Sequence, residues 1–133
     1  MDEELVQEVR ERAGGACEYC HLPEDVHDIP FEVDHATARK HLGPTASNLV
    51  YSCLHCNRHK GTDLAGIDRK TRKLTRLFNP RRHHWSRHFR WEGPVLVGRT
   101  AVGRTTIELL AMNDPVHVAL RQLLLDEGIV FSG

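Results

Sequence analysis

Apolar Leu5, Val6, Val9 and Ala13 recur at near-helical spacing and stop at Gly14-Gly15, which predicts a short amphipathic helix over residues 3–13. The pattern then changes period. Phe31-Glu32-Val33-Asp34-His35 alternates after Pro30 and reads as a short strand ending on an Asp-His pair. Gly43-Pro44 marks a loop, and Asn48-Leu49-Val50-Tyr51-Ser52 is a second short extended run. After Cys56, Asn57-Arg58-His59-Lys60 predicts a helix start with Asn57 at or near its N-cap and Gly61 closing it early. Strand, strand and helix in this order make a ββα unit.

Further on, Lys73 to Phe78 predicts a strand. Pro80 fits the first turn of a helix running through Arg90. Arg90-Trp91 and Val95-Leu96-Val97 flank Glu92-Gly93-Pro94, a hairpin signal. Ala101 to Met112 and Pro115 to Glu127 predict helices. The second helix has Val116, Ala119, Leu120, Leu123 and Leu124 on one stripe and Asp114 as its cap.

A length of 133 residues suits one domain with a modest core. With 40% hydrophobic and 27% charged residues, the composition is that of a soluble globular chain. No apolar run approaches the ~20 residues of a membrane span, and the acidic start carries no basic or apolar leader pattern. The expectation is therefore a cytoplasmic protein with no membrane partner, where paired thiols favour metal over disulfide.

The formal net charge is zero, yet the charge is segregated. Residues 1–34 hold eleven acids against Arg10 and Arg12, and residues 69–104 hold eleven bases against Glu92 alone. Either the second stretch is a solvated basic face or it is a surface for a polyanion.

Two C-x2-C pairs, Cys17/Cys20 and Cys53/Cys56, predict one structural zinc, because each pair chelates and together they complete a tetrahedron. Redox-active or incidental thiols are the alternative. His21 and His55 flank the cysteines and either compete as ligands or, since four thiolates already satisfy such a site, stand as exposed bystanders.

The succession Cys17-x2-Cys20, Glu32-Val33-Asp34-His35, Asn48-Leu49, Cys53-x2-Cys56-Asn57-x2-Lys60 resembles the zinc-framed branch of the HNH endonucleases, small bacterial stand-alone proteins among them. The resemblance implies an α+β fold within a single domain over 1–133. Its core, at about 10–62, would be a ββα-metal (His-Me finger) unit with a structural zinc site, extended by a small basic α+β segment at about 63–133.

It also implies roles: His35 as general base, Asp34 and Asn57 as ligands of a catalytic Mg2+ or Mn2+, and Lys60 against phosphate. Asn48 would hold the loop after His35 or orient its imidazole. The chemistry is coherent: imidazole accepts a proton near neutral pH, and hard cations prefer oxygen ligands. The chain departs from the family pattern at Ala36-Thr37, where two aliphatics are common, and at Asn57, which stands where a His is frequent. His59 is either an alternative ligand or solvated. Glu32, on the same strand face as Asp34, either packs around the ligands or faces water.

DNA is the expected partner. Arg58 and Lys60 are the chief bases of the ββα unit, and Arg81, Arg82, Arg87 and Arg90 offer phosphate contacts beyond it. Trp85, Phe89 and Trp91 read as core, although a nucleic-acid-contacting helix with interleaved aromatics is the other reading. The reading from a different class is a non-catalytic zinc-knuckle module that binds nucleic acid without cutting it. Oligomeric state is open between monomer and dimer.

Overall fold

The first apolar stripe forms α1 (Glu3–Arg12), in the computed structural model, which describes residues 2–36 and 46–131. Asp2 caps α1 by accepting from the Glu4 N–H, Val9 is its buried residue, and Gly14 and Gly15 end it at φ +65° and +70°. The rest of the described chain is α+β, with three separate two-stranded antiparallel sheets. It divides into two compact units: Met1–Thr62 with Asn79–Arg82, and Asp63–Phe78 with His83–Gly133. Among the described residues no helix is long and apolar enough to cross a membrane.

In the first unit, β1 (Glu32–His35) pairs with β2 (Leu49–Ser52), with Asp34 opposite Val50 and His35 opposite Leu49. All four β2 residues are buried, so β2 is the inner strand. α2 (Leu54–Lys60) follows directly. It starts three residues before the expected place, because the Cys53 side chain accepts the Cys56 N–H and acts as the N-cap. Asn57 is therefore inside the helix and does not cap it. Gly61, at φ +53°, ends it. The loop signal at Gly43-Pro44 and the Thr37 departure lie outside the described residues.

In the second unit, β3 (Ala65–Ile67) pairs with β4 (Leu74–Arg76). The strand expected at Lys73–Phe78 is thus shorter, and its partner β3 has too little pattern to be anticipated. The long helix expected from Pro80 to Arg90 is absent; residues 80–82 form turns and α3 spans only Trp85–His88. Two competing bonds explain this: the Asn79 side chain accepts the Arg81 N–H, and Phe89 is taken into a sheet. That sheet pairs β5 (Phe89–Glu92) with β6 (Val95–Gly98) across Gly93-Pro94. Gly93 at φ +58° followed by proline is the chemistry of a type II′ hairpin turn.

α4 (Ala101–Leu109) is capped by Thr100, and α5 (Pro115–Asp126) by Asp114. Gly103 on α4 comes so close to α3 that an added Cβ would stand 2.0 Å from the His88 carbonyl oxygen. Trp85, Phe89, Trp91 and Phe131 form a chain of ring contacts in this unit. Arg121 is wholly buried beside it. It donates to the carbonyls of Pro94 and Met112 and to Asn113 Oδ1, 5.5 Å from the Trp91 ring centroid.

Candidate active site and cysteine frame

The four cysteines are buried and unbridged, and their sulfurs all lie within 4.8 Å of one another. Cys20 Sγ is 3.9 Å from Cys53 Sγ. Four thiolates at about 2.3 Å from one zinc would stand about 3.8 Å apart, so the cluster is compatible with a structural zinc. Each knuckle is closed the same way, with the second cysteine's N–H pointing at the first one's sulfur, 3.5 Å for Cys20 and 3.4 Å for Cys56. Without a cation the sulfurs conflict. Hydrogen bonds to its neighbours, Cys17 first, pull the Cys53 thiol far down, while those to Cys17 hold Cys20 and Cys56 well above the ordinary thiol range. His21 serves the first knuckle through its main chain, donating to the Cys17 carbonyl at φ +62°.

Asp34 and His35 end β1 side by side. The Asp34 carboxylate is 43% exposed; it accepts the His35 main-chain N–H at 2.8 Å, and its Oδ1 lies 3.8 Å from His35 Nδ1. The His35 side chain is only 8% exposed, and its buried Nε2 has no hydrogen-bond partner among the described residues. Asn48 is buried, and its main-chain carbonyl accepts the Ala36 N–H at 2.7 Å, which fastens the residue after His35 to the start of β2. Asn57 reaches back from α2 and donates its side-chain amide to Glu32, the β1 residue two before Asp34 and on the same strand face.

Tyr19 was not singled out from the sequence. It is buried in the first knuckle, and burial, then the fields of Cys17, Cys56 and Asp34, keep its phenol protonated. His59 Nδ1 is 2.8 Å from the His55 carbonyl along the exposed face of α2.

The expected phosphate-facing cations separate into two sets. Arg58, Arg82, Arg87 and Arg90 are exposed. Lys60 is 5% exposed, inside the first unit. Arg81 is ion-paired with Glu18 in the first knuckle, the two side chains 13% and 10% exposed. Glu18 also accepts the Tyr51 main-chain N–H at 3.0 Å. Arg12 is likewise engaged, donating to the Leu49 carbonyl at 2.6 Å.

No curated protein and no solved structure matches the chain. The Asp34-His35 pair, the Glu32–Asn57 link and the buried four-cysteine cluster all fall inside one stretch that a family description covers. Residues 17–63 match the family model described as HNH endonuclease, which supports a nuclease-type function in general, acting on nucleic acid.

Proposed function

We propose that the protein is a metal-dependent endonuclease hydrolysing DNA phosphodiester bonds, with His35 as general base and Mg2+ or Mn2+ held by Asp34 and Asn57. The observation that carries this reading is the bond between Asn57 and Glu32, which ties the helix residue to the strand face bearing Asp34. Glu32 accepts from the amide nitrogen, so the amide oxygen of Asn57 is left for another partner. A carboxylate oxygen and an amide oxygen suit a hard divalent cation better than a soft one. When bound, that cation supplies positive charge against the charge developing on the phosphoryl and leaving oxygens.

The chain's own work is proton transfer and positioning. His35 takes a proton from water through its imidazole, whose Nε2 has no hydrogen-bond partner among the described residues. The water oxygen bonds to phosphorus as the phosphorus–oxygen ester bond breaks, and the departing oxygen takes a proton from solvent. The imidazolium so formed lies beside the Asp34 carboxylate, which stabilises its charge. The main-chain carbonyl of Asn48 holds the chain after His35 in place. The cysteine frame, loaded with zinc, fixes the start of α2 and hence Asn57.

Nicking of supercoiled plasmid with added Mg2+ or Mn2+, against reactions without either, tests the reading. His35→Ala is expected to lose about 10²–10⁴ in rate with DNA binding retained. Cleavage by His35→Ala at the wild-type rate under matched metal would remove His35 from the role of base. Binding with no nicking at all would leave the non-catalytic zinc-knuckle module.

A further inference from the structure

The loop between β3 and β4 is Asp68-Arg69-Lys70-Thr71-Arg72-Lys73, with four cations in six residues. All four are exposed. A charged loop of this kind is ordinarily a mobile, solvated tip. This one is tied from within. The Asp68 side chain is buried and accepts the Thr71 N–H at 3.2 Å, the Thr71 hydroxyl at 2.8 Å, and both Nε and a terminal nitrogen of Arg104 at 3.1 and 3.0 Å. Its main chain accepts the Arg72 N–H at 2.6 Å and donates to the Lys73 carbonyl at 3.0 Å. Arg72 is thereby held at φ +64°, in the left-handed region that residues with a Cβ rarely adopt.

The hairpin behind the tip has two unlike faces. Gly66 lies against α4, where an added Cβ would stand 3.1 Å from Thr105 Cγ2. The facing pair Ile67 and Leu74 is 58% and 74% exposed, with Arg76 exposed beside it. Glu108 on α4 pairs with Arg69 at 2.5 Å. Lys70, Arg72 and Lys73 have no carboxylate partner among the ion pairs of the described residues.

We propose that the β3–β4 hairpin is a pre-ordered phosphate-binding element that docks duplex nucleic acid by its cationic tip. The choice of nucleic acid rests on the nuclease reading above. The rest follows from shape and charge. A two-stranded ribbon enters a major groove about 12 Å wide, and cations fixed in place before contact lose less freedom on binding than a loose loop does. The contacts are to the backbone and carry no sequence preference.

The test is equilibrium binding of the full chain to a short DNA duplex across a salt series, with no Mg2+ or Mn2+ added, so that its outcome does not depend on cleavage. Converting Lys70, Arg72 and Lys73 together to Gln is expected to lower the salt slope by about 2.7 and the affinity by roughly two to three orders of magnitude at about 0.1 M salt. Asp68→Asn makes the protein more positive by one charge, so simple attraction would tighten binding. The pre-ordered tip requires the reverse, several-fold weaker binding at an undiminished slope. Thr71→Val, neutral and milder, is expected to weaken binding in the same direction and covers the case in which Asp68→Asn fails to fold. An unchanged slope in the triple variant overturns the contact. Tighter binding by Asp68→Asn, or wild-type binding by Thr71→Val, overturns the pre-ordering. Tip-dependent binding to anionic phospholipid vesicles with none to DNA overturns the choice of nucleic acid.

Discussion

Replacing Arg81 by Ala should damage the first unit and leave any hold on DNA almost untouched. The Arg81 and Glu18 side chains are 13% and 10% exposed, so this ion pair is effectively out of water. Burial lowers the Arg81 guanidinium to about 10, with the charge of Arg12 adding to it. Removing one partner of such a pair strands the other, which typically costs about 3–5 kcal/mol. Glu18 keeps one hydrogen bond, from the Tyr51 N–H, so the lower end of that range is expected. For a unit of this size that is a fall in midpoint of at least ~12 °C. Thermal and urea unfolding of the zinc-loaded protein, followed through the first unit's transition, would read it. The double variant Glu18→Leu, Arg81→Leu should recover most of the loss, giving a coupling of about 2 kcal/mol or more. A loss under ~1 kcal/mol, joined to a fall of about 0.9 in the salt slope of DNA binding, would mean that Arg81 meets phosphate and the reasoning is wrong.

Protein purified without added metal should contain one zinc per chain by elemental analysis, and Cys53→Ser should lose both zinc and the folded first unit, since metal binding to such a site is folding free energy; a stable, folded, zinc-free protein would refute the frame. Glu32→Ala should weaken Mn2+ binding, read by calorimetry, about 10–100-fold through loss of the Asn57 anchor, while Glu32→Gln, whose amide oxygen can still accept, retains most of it; equal binding by the alanine variant would cut Asn57 loose from Glu32. The Asp68 carboxyl is held well below the usual range, first by Arg104, then by Thr71 despite burial. A lowered folded value means a contribution complete above the unfolded range near pH 4 and lost as pH falls below it toward the folded value. Unfolding of the second unit should therefore lose stability on that acid limb, and Asp68→Asn should flatten the limb.

The parts that rest on local pattern were legible in the chain. The cysteine knuckles, the alternation ending at Asp34-His35, the turn at Gly93-Pro94 and the Asp114-Pro115 helix start each declare themselves within a few residues. What was not legible depends on partners far along the sequence. Arg81 reads as one more surface cation until Glu18, 63 positions away, closes on it. The helix expected from Pro80 to Arg90 gives way to turns because the Asn79 side chain takes the Arg81 N–H and Phe89 finds Gly98 across a hairpin. Glu32 was placed on the correct strand face by its period, but its partner Asn57 sits on a helix whose first residue was misjudged. A cysteine sulfur is not among the usual caps, so α2 was expected to begin after Cys56 when Cys53 had already begun it. Arg121 showed no signal at all; two of its partners are main-chain carbonyls, which composition cannot reveal.

The four residues Asn79–Arg82 belong to the first unit although the chain before and after them belongs to the second. This has a consequence for the order of events on the ribosome. Thr62 ends the contiguous part of the first unit, yet Arg81, the counter-ion of Glu18 among the described residues, is made only later. At about 5–20 residues per second, that interval is roughly one to four seconds. During it the nascent first unit carries a carboxylate it cannot bury at low cost, and the cysteine frame must hold the knuckle without it. A fragment stopped at Thr62 would remain in that state permanently, so the matched family stretch, cut out alone, is a poorer protein than its boundaries suggest.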